Sequence, residues 1–490
     1  MALLVAGCPS ETSVGPPSKP YAGVSLKLAA PADPAVRSLL ERHGQAWASG
    51  SGASLEFVTA DTPADMRLFR PAEAGRLESR LASIDVGPLK KLEAFQFSRL
   101  LGYEIDHDMA WGERVIGLPV LGESFFFVYR ADLVENPRHA AALAKRFKER
   151  FHYAMRPTGP ATWQQVAELA AYFAGEPNWV DGEAAATPRP SLTPLPASAV
   201  EFDRDFHAVA ASFVRRTVKE EKMAALPPAH RAGLLFSYQI DAETGAPAIA
   251  DDGFVAALKF LQDVQRYRPS GTSERPLEAF RAGKAVFALA SLADLPWLQA
   301  DDSPVRDRFG VGRVPGSDTA IDPAKRKLAQ VPDQDGNFIP YRGHGGWLGG
   351  IDAAASGASA VAANDLLVYL SSPPVSLEIA CEPQWGGGPT RSTHLDNRPG
   401  WHNYGLGART GQLIEALHSY YRAPIVNPSY ALRVSGQSDL VRTFGEQVRP
   451  ALTEKKDAAA ALRETAEAWS GLTKDRAAFL REYRLSIGLK

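Results

Sequence analysis

The chain has 490 residues, 45% hydrophobic and 22% charged, the composition of an ordinary globular protein, long enough for two or three cores at about 150 residues each. A net charge of -2 gives no sign of the basic face or stripe that a nucleic-acid partner requires. Two cysteines without C-x-x-C and ten histidines without H-E-x-x-H leave no thiolate zinc site of familiar spacing and no metalloprotease motif.

The N-terminal residues read MALLVAGCPSETSVGPPSKPYAGVSLKLAA. Val5-Ala6-Gly7-Cys8 resembles the bacterial lipobox, in which a peptidase cuts before a cysteine that then carries acyl chains, and the Ser/Pro/Gly-rich stretch after it suits a flexible tether. A secretory leader carries a basic region and about 7–15 apolar residues. Only MALLV precedes the small residues, so either the start lies upstream or the match is accidental.

Residues 23–30, GVSLKLAA, alternate and predict a first strand, followed by a helix over 34–47 and a strand SLEFVTA. That order implies a parallel pair joined by a crossover. Between 114 and 133 two β-rich runs are broken by Gly-Leu-Pro and Gly-Glu-Ser. Helical patterns follow at 137–150, 162–175, about 204–217 and 253–268, with Thr162 at an N-cap position. Surface insertions are predicted at 176–203, rich in Pro, Ala and Ser, and at 317–342. DQDGN at 333–337 lacks the spaced ligands and terminal Glu of a calcium loop and reads as an Asp-Gly turn.

WLGGID from Trp347 predicts a strand and ASAVAANDLLVYLSS a helix; the last eighty residues are mostly helical, with TEKKDAAAALRETAEAWSGL strongly amphipathic. There is no internal repeat and no run of about 18 apolar residues that would span a bilayer. GHGGWLGGID, residues 343–352, frames one tryptophan with five glycines. Glycine loses most conformational freedom on folding, so such a cluster points to special dihedrals or close approach to the backbone, and first to a ligand surface.

Several segments, in order, resemble the extracellular solute-binding proteins of bacterial ABC importers, family 1, which includes maltodextrin and oligosaccharide binders. GLPVLGESFFFVYRADLVENP is similar to that family's Pro-containing strand and Y-x-x-D-L, and PATWQQVAELAAYF to its P-x-T-W helix start. GFVAALKFLQDV, PLEAFRAGKAVFALAS and FGVGRVPG resemble its later helix and two strands. GGWLGGIDAAASGASAVAANDLLVYLSSP resembles its return crossover, and GPTRSTHL its P-x-R element. The likeness covers about 23–472, and order and spacing carry it rather than any single motif.

The resemblance implies an α/β, two-lobed periplasmic-binding-protein (Venus-flytrap) fold of type II, with discontinuous lobes and a C-terminal helical segment. Residues 1–22 would be signal remnant and tether, 23–122 plus 343–400 lobe 1, and 123–342 lobe 2. Residues 401–490 would be helical and pack on both lobes. Ligand would sit between the lobes, beyond the carboxyl ends of strands, and be clasped by hinge closure.

On that basis the expected ligand residues are Trp347, whose indole can stack on the C–H face of a sugar, and Gly346 beside it. Glu123 and Ser124 stand at the first crossover, Asp294 after a lobe-2 strand, Trp385 and Arg391 near the third crossing, and Trp401 in PGWHNYG. Trp163 and Trp469 read as core. No catalytic residue, metal or cofactor is expected.

The expected partners are a carbohydrate ligand, the permease subunits of an ABC importer, and a membrane through lipid on Cys8; the chain itself would be an extracytoplasmic monomer. Two readings stand beside this one: a carbohydrate-active hydrolase, and the same fold carrying a non-sugar metabolite. His344-Gly345-Gly346 resembles an esterase oxyanion loop, but no serine has glycine both two before and two after it, and P-loop and dinucleotide glycine spacings are absent. A glycosidase needs two carboxylates about 5–9.5 Å apart, which no pattern here marks.

Overall fold

A computed structural model describes residues 19–151, 159–175, 190–216, 236–322, 327–331, 336–421, 431–454 and 456–489. Cys8 with its tether through residue 18, residues 176–189 of the first expected insertion and 333–335 of the Asp-Gly turn lie outside them.

Strand β1 (Ser25–Ala30) turns Leu26, Leu28 and Ala30 into a core. Asp33 then starts α1 (Pro34–Ser51) by accepting from Ala35 N at 2.9 Å, with Pro34 at a first-turn position that needs no N–H. Val36, Leu39, Leu40, His43 and Trp47 form its buried stripe. The helix runs past residue 47 because the left-handed cap is Gly52, at φ 83. It delivers β2 (Ser54–Thr59) parallel to β1, with Leu26 beside Leu55.

With β3 (Met66–Phe69), β4 (Leu118–Leu121) and β8 (Trp347–Ile351) these strands make one sheet, ordered β2-β1-β3-β8-β4. The late strand β8 is antiparallel to both of its neighbours. Helices α6 (Gly357–Leu370) and α7 (Pro373–Cys381) join α1 around this core. Arg67 and Asp352 form an ion pair inside it, 2% and 4% exposed, and Asp352 also accepts from Ala64 N at 3.1 Å.

The second sheet has β5 (Phe125–Arg130) at its centre, antiparallel to β6 (Phe287–Ser291) and β7 (Phe309–Gly312). All six residues of β5, FFFVYR, are buried, as a strand covered on both faces demands. Around it stand α2 (Pro137–Phe151), α3 (Trp163–Gly175), α4 (Ala199–Val214) and α5 (Asp252–Val264). Thr162 caps α3, accepting from Gln165 N at 3.3 Å. Helix α4 begins five residues ahead of expectation because Ser198 Oγ accepts from Glu201 N. The expected insertion at 317–342 contains an antiparallel strand pair, Thr319–Asp322 with Lys327–Gln330, and the first of these strands lies against α4.

Helix α8 (Thr410–Tyr421) lies on β7, and α9 (Gln437–Thr453) and α10 (Ala458–Leu472) lie on α4 and α5. Of the amphipathic stretch, residues 458–472 form α10, which Asp457 caps by accepting from Ala460 N at 2.8 Å, and only Thr453 belongs to α9. The last helix, α11 (Arg476–Ser486), reaches across to residues 74–77 and 110–111. Arg433, 2% exposed, anchors this junction by donating to the carbonyls of Pro71, His107, Asp108, Ala110 and Ser486.

Candidate functional site between the two sheets

The registers bring two sheet edges together. Strand β3 ends at Phe69 opposite Leu348, and β4 ends at Leu121 opposite Trp347, so Arg70, Gly122 and Trp347 share one edge. From Leu121 the chain crosses through Gly122, Glu123 and Ser124 into β5, whose first residue, Phe125, pairs with Ser291, the last of β6. The carboxyl ends of β3, β4 and β6 therefore face one region, the usual position of ligands in open α/β sheets.

Residues 342–346 and 386–391 cross beside the first segment. Gly122 N donates to Gly388 O at 3.2 Å, and Gly388 N returns the bond at 2.8 Å. A Cβ on Gly346 would stand 1.8 Å from Leu121 O, so what presses on that glycine is the neighbouring backbone. The three crossings are thus packed backbone to backbone, and this contact accounts for part of the glycine cluster.

On the β3 side, Trp347 is 9% exposed and carries the Arg70 guanidinium 4.6 Å from its ring centroid. Arg70 Nη1 also donates to Gly345 O at 3.1 Å and meets the Glu123 carboxylate at 3.3 Å. Strand β3 ends just before Arg70, whose backbone N–H is taken by Glu73 Oε2 at 2.9 Å, which aims the side chain along the edge. His344 Nε2 donates to Val200 O, 3.2 Å away in the first turn of α4, linking the second crossing to the far wall. Burial lowers the His344 pKa, favouring the neutral ring.

The opposite wall comes from α4 and from the turn after β6. Glu201, Arg204, Asp205, Asp294 and Trp297 line a cavity of about 330 Å³, of the order of small-molecule pockets. Arg204 lies 4.7 Å from the Phe125 ring centroid and bonds Asp205 Oδ1 at 3.0 and 3.1 Å. Desolvation works against its charge, but Asp205, Asp294, Glu123 and Glu201 together hold the guanidinium pKa above its ordinary value. Glu201 is shifted upward, first by desolvation and then, against the pull of Arg204, by Asp205, Asp294 and Glu274. Asp294 Oδ2 accepts from both Ser291 N and Ser291 Oγ at 2.7 Å, so it shapes the turn as well as lining the cavity.

Four expected ligand residues are packed elsewhere. Ser124 is 1% exposed, with its hydroxyl 2.8 Å from Tyr421 OH. Trp385, 3% exposed, sits in the first core with His43 at 5.1 Å and Arg42 at 5.2 Å from its ring. Trp401 is fully buried and donates Nε1–H to His394 O at 2.9 Å. Arg391, also fully buried, donates to Phe95 O, Gln96 O, Ser371 O and Ser376 Oγ, and its side chain ties the third crossing to the first lobe. Ser124, Trp401 and Arg391 have their polar atoms taken by interior partners, while the Trp385 Nε1 is buried with no hydrogen-bond partner among the described residues.

Sequence reasoning passed over Arg70, Glu201, Arg204 and Trp297. Position was the available signal: Arg70 follows a strand end, and Trp297 lies six residues past the end of β6. Two other cavities lie outside the gap: one of about 50 Å³ within the second core, room for a water or two, and one of about 230 Å³ between β7 and α8. Among the described residues no group of His, Cys, Asp and Glu could hold a metal ion, and no helix is long and apolar enough to cross a membrane.

No family model and no curated protein sequence matches this chain. Solved structures do. Maltose-bound MalE3 of T. maritima is 16% identical, with a TM-score of 0.61 over 92% of this chain and 100% of that one. A ribitol complex of an ABC transporter solute-binding protein from Agrobacterium radiobacter K84 gives 16% identity and a TM-score of 0.62 over 93% and 100%. The sugar-binding protein MalE of Xanthomonas citri gives 14% and 0.61 over 93% and 99%. The chain therefore has the two-lobed α/β fold of the MalE-like ABC-importer solute-binding proteins, over most of its length.

Proposed function

We propose that this chain is the extracytoplasmic solute receptor of an ABC importer, taking a sugar or related polyhydroxylated ligand between its lobes and passing it on to a permease. The observation that supports the reading is that two sheet edges are joined by three side-by-side crossings, with Trp347, Arg70 and Glu123 beside them and, on the second-lobe side, a cavity lined by Glu201, Arg204, Asp294 and Trp297. Indole rings suit the C–H faces of a pyranose, and the charged groups suit its hydroxyls. Ligand need only bind the closed arrangement better than the open one, and that difference sets the shift in population. In this reading Arg70, lying over Trp347, is the group a ring stacking on that face displaces. Acylation at Cys8 would hold a monomeric receptor at the membrane, since two or more acyl chains anchor firmly where one does not.

The test pairs thermal shift with X-ray scattering over a panel of mono- and oligosaccharides and polyols. A hit should raise the melting temperature, contract the molecule and be recovered unaltered. Trp347→Ala should weaken it. Cleavage of the hit would favour a hydrolase using the cavity carboxylates, and unchanged scattering with bound ligand would remove the closure step.

A further inference from the structure

We propose that the ligand carries a protonated amine on its sugar-like ring, as an amino sugar or aminocyclitol does, and that this ammonium group pairs with Glu201 and Asp294 beside Trp297. The inference rests on the receptor reading and narrows its ligand class.

In the cavity lining the carboxylates Glu201, Asp205, Glu274 and Asp294 outnumber the guanidinium groups Arg204 and Arg275, with Arg268 acting on Asp205 and Arg449 on Glu274 from behind the wall. Of the lining guanidinium groups, Arg204 is bonded to Asp205, and Arg275, at the exposed rim, is paired with Glu278 at 3.5 Å. Glu201 and Asp294 line the cavity with no ion pair to any described residue, and Glu274 adds a third carboxylate at the rim. Asp294 accepts hydrogen bonds among the described residues only from the neutral donors of Ser291, both at one oxygen, and the Arg204 guanidinium acts on it through space without bonding it. Glu201 Oε2 is buried and accepts no hydrogen bond among the described residues. A carboxylate so placed is unfavourable unless a donor, best a cationic one, completes it.

A neutral sugar hydroxyl donates one hydrogen bond and cannot fill both Glu201 Oε2 and the second Asp294 oxygen. An ammonium offers three donors and a positive charge together, enough to bridge two carboxylates. Trp297 adds to the match. Its half-buried indole gives the ring carbons an apolar wall, and an aromatic face attracts a nearby cation. The Arg281 guanidinium already stacks on this ring at 5.0 Å, so the indole is held in place before any ligand arrives.

The experiment is calorimetric titration of the full chain with glucosamine, N-acetylglucosamine and glucose, with their β-1,4-linked disaccharides and with an aminocyclitol, at low and at high salt. At least one amine-bearing probe should bind, roughly tenfold or more tightly than its acetylated and neutral counterparts, as expected for hydrogen bonds to charged groups. Salt should shrink that advantage. Glu201→Gln should abolish most of it while leaving the ligand-free melting temperature near that of wild type, and Glu274→Gln, at the exposed rim, repeats the test should the first variant fold poorly. Equal or tighter binding of the neutral or acetylated probes, or an amine advantage untouched by the variants, overturns this proposal and leaves the receptor reading standing. Absence of binding across the whole panel overturns both.

Discussion

Gly346 is where the crossings are most tightly pressed, and its replacement by alanine tests their packing directly. The new methyl carbon would stand 1.8 Å from Leu121 O and 2.7 Å from Gly122 Cα. Carbon and carbonyl oxygen approach no closer than about 3.3 Å, so the first and second crossings must part by about 1.5 Å. That movement disturbs the pairing of Trp347 with Leu121 and the two hydrogen bonds between Gly122 and Gly388. Two bonds at about 1 kcal/mol each, with overpacking strain of about 1–3 kcal/mol, give a loss of roughly 3–5 kcal/mol. At about 2–4 °C per kcal/mol, melting should fall by roughly 10 °C. Gly411→Ala is the control. An added Cβ there meets no atom within 4 Å, in a helix, and should stabilise by about 0.5–1 kcal/mol. Both variants are read by calorimetric melting and by titration with any ligand found above. If Gly346→Ala melts within about 2 °C of wild type, less than 1 kcal/mol, the close packing of the crossings is not what that glycine serves.

Three further outcomes follow from buried groups. Burial, with Arg391 beside it, lowers the His394 imidazole to about 3, while unfolded histidine titrates near 6.5. The neutral ring thus contributes stability that is full above pH 6.5 and lost progressively as pH falls towards 3; His394→Gln should flatten the melting profile across that window, and parallel profiles would contradict it. Burial pushes the Cys381 thiol, 5% exposed, up to about 12, so its peptide should stay unmodified by a water-soluble alkylating reagent at neutral pH until the protein is denatured. Rapid native labelling would contradict that. Arg433→Met strips five backbone carbonyls of a donor, at about 1 kcal/mol each. Melting should drop by roughly 10 °C or more and α11 should become the first site of proteolysis, whereas wild-type behaviour would show that solvent replaces those bonds freely.

Much of the local architecture was legible. Alternation marked β1, a 3.6-residue stripe marked α1, and Thr162 announced α3, because each depends on neighbours a few positions away. Where boundaries slipped, a nearby cap explains it: Gly52 rather than Trp47 ends α1, and Ser198 starts α4 inside a stretch whose composition suggested a loop. The glycine cluster was recognised as special, but its partner was not foreseeable. Leu121 O, which fills the space beside Gly346, lies more than two hundred residues earlier in the chain.

The same limit separates the tryptophans and arginines. Element order and periodicity by themselves pointed to an α/β fold, since periodicity records which face of an element is buried, and the family resemblance set Trp347, Trp385 and Arg391 near the crossings. Periodicity does not record what does the burying. Only the tertiary structure decided that Trp385 and Trp401 are enclosed by core, that Arg391 is consumed by carbonyls around residues 95, 96 and 371, and that Arg70 lies over Trp347 with Glu123 and Arg204 over Phe125 with Asp205. An arginine pairs with whatever acceptors lie within reach of its guanidinium, backbone carbonyls for Arg391 and carboxylates for Arg70 and Arg204, and segments remote in sequence bring many of them.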